Sequence, residues 1–213
     1  LAHDNRSADL SAPYLEKIKK ECKKLGVEVK VAYSDRLSLF KAIKSIKDII
    51  EQEKGNYIYV NVASGSKIQA IACMMACMVL KECDNLQPFY AEPESYAAFE
   101  GKQQSFGIKD TIPLPTYEIQ TPKPKLLAAL KIISEQKNQK ITKKEMAQIA
   151  EEQEIITVNA EESNHSQARF ASLDKNIILP LERDWKFIEI EKIGRNRWIK
   201  ITQEGRDAAE FLI

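Results

Sequence analysis

Histidine is scarce in this sequence, with only His3 and His165, and its four cysteines form no C-x-x-C pair. Transition-metal sites are usually built from such residues at close spacing, so we predict no metal site. The sequence also lacks the G-x-x-x-x-G-K-[ST] spacing of a P-loop and the G-x-G-x-x-G dinucleotide fingerprint. We therefore expect no resident cofactor of the kinds that these motifs bind.

An excess of charge of one sign and a long apolar run are missing too. The formal net charge is +1, and neither the part before Pro122 nor the part after it has a marked excess of either sign. A nucleic-acid-binding surface would therefore have to be a local patch. The longest apolar run, near residues 68–80, is too short to span a membrane. Cys73 and Cys77, four residues apart in that run, are typical of buried thiols in a reducing cytoplasm.

The first half of the chain alternates between helical and extended patterns. The apolar spacing predicts helices at 11–25, 35–53 and 66–82, and strands at 27–31, 57–61 and 87–91. Leu1–Asp4 is typical of the end of a strand, so we expect most of the first strand to precede the given chain. Because strands that alternate with helices form βαβ units, we predict an α/β domain over 1–121 with a mainly parallel sheet flanked by helices.

The strand at 57–61 runs into a small polar turn, and Lys67 opens the following helix. Open α/β sheets bind ligands at this end of a strand, and the free amides of the helix start suit an anion such as phosphate. Gly65 would let the backbone approach a ligand, and Ser64, Ser66 and Lys67 would add donors. A plain strand-to-helix connection uses the same small residues, so the spacing leaves both interpretations open.

The second half of the chain, 122–213, follows another pattern after the Pro122-Lys123-Pro124 boundary. Helices are predicted at 124–136, 142–154 and 163–179, strands at 187–190 and 197–201, and a last helix from about residue 202. Thr142 and Glu145 have the spacing of a capping box at the start of the second helix. Three helices followed by a hairpin indicate a winged helix-turn-helix domain.

Two groups of side chains in that domain suit DNA. The hairpin cations would meet phosphate, and the polar start of the third helix carries side chains that can hydrogen-bond base edges. The hairpin cations are Lys192, Arg195, Arg197 and Lys200, and the helix residues are Asn164, His165, Ser166, Gln167 and Arg169. Winged helices also serve as protein-interaction modules, and Glu161 and Glu162 before the third helix would repel phosphate, so that alternative stays open.

The two halves together resemble a known family. The pattern strand-Asn-x-x-Ser-Gly-Ser-Lys-helix at 57–67, followed by a winged helix, is similar to the archaeal CARF-domain (CRISPR-associated Rossmann fold) winged-helix transcriptional regulators. Three further stretches carry the resemblance: Phe187–Ile190 with Gly194-Arg195, Ile201-Thr202-x-Glu204-Gly205-Arg206, and Gly107-Ile108 with Pro115–Tyr117. The resemblance covers nearly the whole chain and implies a Rossmann-like N-terminal domain.

The resemblance also implies a homodimer whose ligand site lies across the twofold axis and takes a nucleotide second messenger, a cyclic oligoadenylate. The ligand residues that it implies are Asn61, Ser64, Gly65, Ser66, Lys67, His3, Asp4, Asn5, Glu92 and Tyr96. The acids Asp4 and Glu92 would repel phosphate unless they hydrogen-bond ribose hydroxyls or an adenine amine.

These expectations give a non-enzymatic regulator that binds double-stranded DNA and changes its affinity for an operator when ligand binds. One alternative is a ring nuclease that cuts its own ligand. In that case Lys67 would stabilise the phosphate, Ser64 or Ser66 would orient the ribose hydroxyl, and His3 would be a candidate base. The other alternative is an interaction module that binds neither ligand nor DNA.

Overall fold

A computed structural model describes residues 1–4, 12–35, 37–96 and 105–213 of the 213-residue chain, without the side chain of His3. The chain divides into two compact units, Leu1–Gln120 and Thr121–Ile213. In the described ranges no helix is long and apolar enough to cross a membrane.

The described residues of the N-terminal unit form three helices and seven short strands. The helices are α1 (Ala12–Lys24), α2 (Leu39–Gln52) and α3 (Lys67–Val79). The strands are β1 (Ala2–His3), β2 (Tyr33–Ser34), β3 (Ile58–Asn61), β4 (Leu86–Glu92), β5 (Ser95–Tyr96), β6 (Ser105–Phe106) and β7 (Asp110–Pro113). The three predicted helices and the strands predicted at 57–61 and 87–91 are confirmed.

The sheet structure of this unit is small and mixed. β1 pairs with β2 and β3 with β4 in parallel, whereas β7 lies antiparallel to β4 and β5 antiparallel to β6. The prediction of a mainly parallel sheet is therefore correct only for its first part. Parallel neighbours need a long crossover, usually a helix, and no described helix lies between β4 and β7, which pair antiparallel instead.

The predicted strand at 27–31 is wrong. The structure leaves 27–32 outside any strand and places β2 at Tyr33–Ser34, where it pairs with the two residues of β1. Alternating Val and charged residues form a strand only beside a partner, and 27–31 has none among the residues described.

The core of this unit lies between α2 and α3. Apolar residues spaced by three and four positions, Ala42, Ile43, Ile46 and Ile50, are buried on α2 and face Ala72, Ala76 and Cys77 of α3. α3 also packs on β4. This packing fixes the start of α3 at the end of β3, where the polar turn lies.

The C-terminal unit has the element order of a winged helix. Its helices are α4 (Pro124–Glu135), α5 (Lys143–Glu152), α6 (His165–Leu173) and α7 (Gln203–Leu212). Its strands, β8 (Lys140–Thr142), β9 (Ile188–Ile193) and β10 (Asn196–Ile201), form an antiparallel sheet in the order β8-β10-β9. Its helices and strands share one hydrophobic core. The fully buried side chains of that core include Leu130, Ile133, Met146, Leu173, Leu181 and Ile199.

The third helix runs further than the predicted 163–179. A 3-10 turn at Glu162–Asn164 leads into α6, and wider π-helical turns follow at Asp174–Ile178 and Pro180–Asp184. Pro180 lacks an amide hydrogen, and in an α-helix its ring would crowd the carbonyl four residues earlier. The wider turns accommodate Pro180, so the helix continues instead of ending before it.

Candidate functional site

The turn after β3 is shaped by its own side chains. Asn61 Oδ1 accepts a hydrogen bond from the Ala63 amide at 2.8 Å. Ser66 caps α3, because its Oγ accepts from the Gln69 amide at 3.3 Å while Gln69 Oε1 accepts from the Ser66 amide at 2.8 Å. Two of the predicted ligand residues, Asn61 and Ser66, therefore already have a structural use.

Gly65 is required in this turn for two reasons. Its φ is +89°, a left-handed conformation that side chains disfavour, and an added Cβ would lie 2.6 Å from Gln69 Oε1. Gln69 is itself a buried polar residue that the sequence analysis missed. The capping-box spacing of Ser66 and Gln69 is the signal that would have found it.

The donors left open in the turn are those of Ser64 and Lys67. Both residues are exposed, and neither side chain has a partner in the parts of the chain that the structure covers. The capping box uses the amides of Ser66 and Gln69, and the amides of Lys67 and Ile68 lie between them at the positive end of the α3 dipole. This end of the sheet can therefore still receive an anion.

Glu92 lies at the same sheet edge but is already paired. In the parallel register Asn61 lies opposite Phe89, so Glu92 is three residues further along β4. Its Oε1 accepts from Lys109 Nζ at 3.1 Å. Lys109, which the sequence analysis missed, therefore offsets the acid expected to repel phosphate.

Tyr96 lies on β5, where its hydroxyl is 3.2 Å from that of Tyr90. The hydrogen bond to Tyr90 raises the pKa of Tyr96. Tyr96 is therefore a neutral donor or acceptor on the exposed β5–β6 pair.

The residues after β1 remain predictions. The Asp4 amide donates to the Ser34 carbonyl at 3.1 Å, which places Asp4 at the end of the β1–β2 pair. That pair is not hydrogen-bonded to the β3–β4–β7 sheet in the described ranges, so no shared ladder joins Asp4 to Lys67. Asn5 and the side chain of His3 lie outside the described residues.

Some of the side chains predicted to hydrogen-bond base edges lie on the exposed face of α6 or directly before it. Asn164, Ser166 and Gln167 are all exposed. Ala171 and Lys175, which the sequence analysis missed, are exposed at helical spacing from Gln167, opposite the buried side of the helix. Because Ala171 is small, another molecule can approach the helix closely at the position between Gln167 and Lys175.

Arg169 and His165 lie on α6 beside these exposed residues, and both contact Glu151 of α5. Arg169 Nε is 2.6 Å from Glu151 Oε2, and His165 Nε2 is 3.0 Å from Glu151 Oε1. The buried Nε–H of Arg169 does not point at that oxygen, so the contact is an ion pair without an aligned hydrogen bond. Arg169 Nη2 is 3.4 Å from His165 Nδ1. Neither predicted DNA contact is therefore free of a protein partner.

The hairpin tip carries three cations with no acidic partner among the described residues: Lys192, Arg195 and Arg197. Lys192 and Arg197 lie directly opposite each other in the β9–β10 register. Like charges at such positions repel, with Cβ atoms about 5 Å apart, unless an anion lies near both. The tip thus has an uncompensated positive charge at the end of the hairpin.

Lys200 differs from the tip cations. It pairs with Glu189 and Glu191, each at 2.9 Å, and the hydrogen bond to Glu191 is the largest cause that raises its pKa. Since neighbours along a strand alternate between faces, Lys200 lies on the opposite face of the sheet from Arg197. The structure therefore does not bring Lys200 together with the other wing cations.

Comparisons with known proteins agree with this architecture at the level of domains. Residues 125–213 match the family model of the DUF6293 C-terminal winged helix domain. Residues 1–96 match the model HFX_2341_N, which describes an N-terminal domain. The C-terminal unit is thus a winged helix domain.

One curated relative is an uncharacterized protein, MJ1513 of Methanocaldococcus jannaschii. The two sequences are 28% identical, in a match that covers 64% of this chain and 48% of the relative. The chain spans about half the length of that relative.

Proposed function

We propose that the protein is a transcriptional regulator that binds double-stranded DNA through its winged helix and responds to a nucleotide bound by its N-terminal unit. The observation that carries the DNA-binding part is the uncompensated hairpin tip, Lys192, Arg195 and Arg197. Asn164, just before α6, and Gln167, on its exposed face, add donors and acceptors for base edges. In a winged helix these two elements contact the same duplex.

The test of this part is the salt dependence of binding to duplex DNA by the full chain. Each phosphate contact contributes about 0.9 to the slope of log affinity against log salt. We expect the variant Lys192→Ala/Arg195→Ala/Arg197→Ala to lose about 2.7 of that slope per chain and to weaken binding to all sequences alike.

The matched control is Lys17→Ala/Lys20→Ala/Lys23→Ala. These lysines are exposed on α1, and their replacement changes the net charge by the same amount. The control should keep the wild-type slope. Absence of salt-sensitive binding by the wild type, or equal slopes for the two variants, contradicts the proposal.

For the N-terminal unit we propose a sensory site of the CARF type, built from two copies of the 61–67 turn in a homodimer. The open donors of Ser64 and Lys67 support an anionic ligand, and a ring with an even number of phosphate-linked adenosines has the symmetry that a twofold site requires. A ligand can act on DNA affinity only if it favours one arrangement of the dimer over another.

We propose sensing rather than cleavage of the ligand, with no catalytic role for the turn. The Ser66 hydroxyl accepts the Gln69 amide as a helix cap, which leaves Ser64 as the open hydroxyl of the turn. The name of the relative, an uncharacterized protein, states no activity and no partner.

A further inference from the structure

We propose that Glu151 is a specificity-determining positioning residue, which keeps Arg169 and His165 from binding DNA phosphate. The inference rests on the proposed DNA binding and concerns a residue on α5, outside α6, the helix proposed to contact base edges. It starts from the contact between Glu151 and these two side chains, one turn apart on α6.

The contact with Glu151 neutralises the positive charge of Arg169 on one side of α6. The side chains of Glu151, Arg169 and His165 are each only about a third exposed, so water screens their attraction less than it does at a free surface. A guanidinium held by a carboxylate gains little from a phosphate, because it must give up the carboxylate to reach it. Arg169 therefore adds little to sequence-independent binding.

The geometry of the imidazole fits the same arrangement. With its proton on Nε2, His165 donates to Glu151 and offers Nδ1 to Arg169 Nη2. The Nε side of the guanidinium faces these two partners, and Nη1 has no partner among the described residues. The Nη1 end is thus the part of Arg169 that can meet a base edge, for which Arg is well suited at guanine.

The ion pair between Arg169 and Glu151 has no aligned hydrogen bond at Nε. Because this buried donor has no aligned acceptor, the ion pair lacks the directional bond that would fix Arg169 most firmly. Because Glu151 neutralises the guanidinium, the attraction of Arg169 to an anionic phosphate falls more than its hydrogen bonding to an uncharged base edge. Glu151 thereby favours sequence-dependent contacts of Arg169 over phosphate contacts.

The chain provides a matched control on the same helix. Glu152 follows Glu151, carries the same charge and accepts a hydrogen bond from Gln148 at 2.8 Å. Glu151→Gln and Glu152→Gln change the net charge equally, but only the first releases a cation. A difference between them therefore reports the local pair and not the overall charge.

The experiment measures binding of the 213-residue chain to a random-sequence duplex pool and to a duplex selected from that pool by the wild type, over a salt series. We expect Glu151→Gln to steepen the slope by about 0.9 per chain, equivalent to about 3.5-fold more loss of affinity over a fourfold rise in salt. Its preference for the selected duplex should fall. Glu152→Gln should match the wild type in both quantities.

Two further variants complete a cycle with Arg169. Arg169→Gln alone should leave the slope for random DNA unchanged, because Arg169 makes no phosphate contact in the wild type. Glu151→Gln/Arg169→Gln should return to the wild-type slope.

Glu151→Asp keeps the negative charge but has a shorter side chain, so it should lose preference for the selected duplex. This variant covers the case in which Glu151→Gln does not fold.

The outcomes separate this inference from the function on which it rests. If the wild type binds no duplex, the proposed DNA binding fails and this inference with it. If the wild type binds but Glu151→Gln and Glu152→Gln have equal slopes, only the role of Glu151 is overturned. A slope lowered by about 0.9 in Arg169→Gln alone would likewise overturn it, since Arg169 would then already contact phosphate.

Discussion

Gly205 lies where α7 begins and faces the backbone of Phe187. An added Cβ would collide with the Phe187 carbonyl oxygen and lie 2.8 Å from Ile201 Cγ1. The same corner is held by Thr202, whose hydroxyl donates to the Lys186 carbonyl and accepts from the Gly205 amide. Because the obstacle is backbone, we expect Gly205→Ala to lower the free energy of unfolding by about 2–3 kcal/mol in urea denaturation.

Gly55→Ala is the control for that prediction. A Cβ at Gly55 would meet nothing within 4 Å, and its φ is not left-handed, so the change should stay within about 0.5 kcal/mol. Equal stability of the two variants would contradict the close approach of Gly205 to the backbone of Phe187.

Side-chain partners close in sequence could be predicted, and distant ones could not. Thr142 and Glu145 are three residues apart, and their capping box is confirmed. Glu151 and Arg169 come together only because α5 packs on α6, which no local pattern encodes. The sequence therefore indicated which residue types lie on α6 but not which of them are already paired.

Among the elements, α5 gives a prediction for stability against pH. Glu145 accepts hydrogen bonds from the Thr142 hydroxyl at 2.7 Å and the Thr142 amide at 3.1 Å, the first being the larger cause that lowers its pKa. A lowered pKa in the folded state stabilises the protein above the unfolded value, about 4.3, and the contribution is lost as pH falls through the folded value.

The variants for this prediction are Glu145→Gln and Thr142→Ala. The stability difference between wild type and Glu145→Gln should shrink as pH falls from about 6 to about 3, measured by urea unfolding. Thr142→Ala should cost about 1 kcal/mol at neutral pH. A difference for Glu145→Gln that is the same at every pH would contradict the role of the carboxylate in the cap.

Helix α1 shows where element prediction from sequence stops. Its position is confirmed, yet none of its residues is buried. Tyr14, Ile18 and Leu25, three of the apolar residues whose spacing predicted the helix at 11–25, are 47%, 55% and 79% exposed. Spacing predicts which residues share a helix face, but burial depends on what packs against that face. The strand predicted at 27–31 is wrong for the same reason, since it lacks a partner.

At the scale of the whole chain, the winged helix was predictable in outline and the N-terminal sheet was not. Three helices and a hairpin with local caps leave few arrangements, and the DUF6293 winged helix match agrees with them. The irregular stretch after β4 gave no sign that β7 would return antiparallel to β4. Strand order depends on contacts distant in sequence, which alternating patterns do not specify.

The prediction that belongs to the whole molecule is that ligand binding at the turn alters DNA binding by the winged helix. We expect the full chain to be a dimer in solution and to be stabilised by one of cyclic tri-, tetra- or hexa-adenylate. At a hundredfold excess over Kd the gain in unfolding free energy is about 2.7 kcal/mol. The same ligand should change the affinity for the selected duplex, whereas linear adenylates should do neither.

Lys67→Ala tests whether the turn is the site. Lys67 is exposed without a described partner, so its loss should leave the fold intact and remove most of the ligand-induced stabilisation. Lys44→Ala, an exposed lysine of α2, removes the same charge away from the turn and should respond like the wild type. If Lys67→Ala is stabilised as strongly as Lys44→Ala, the ligand binds elsewhere. If none of the three rings stabilises the wild type, the ligand class is wrong, and DNA binding by the hairpin tip stands or falls separately on its salt slope.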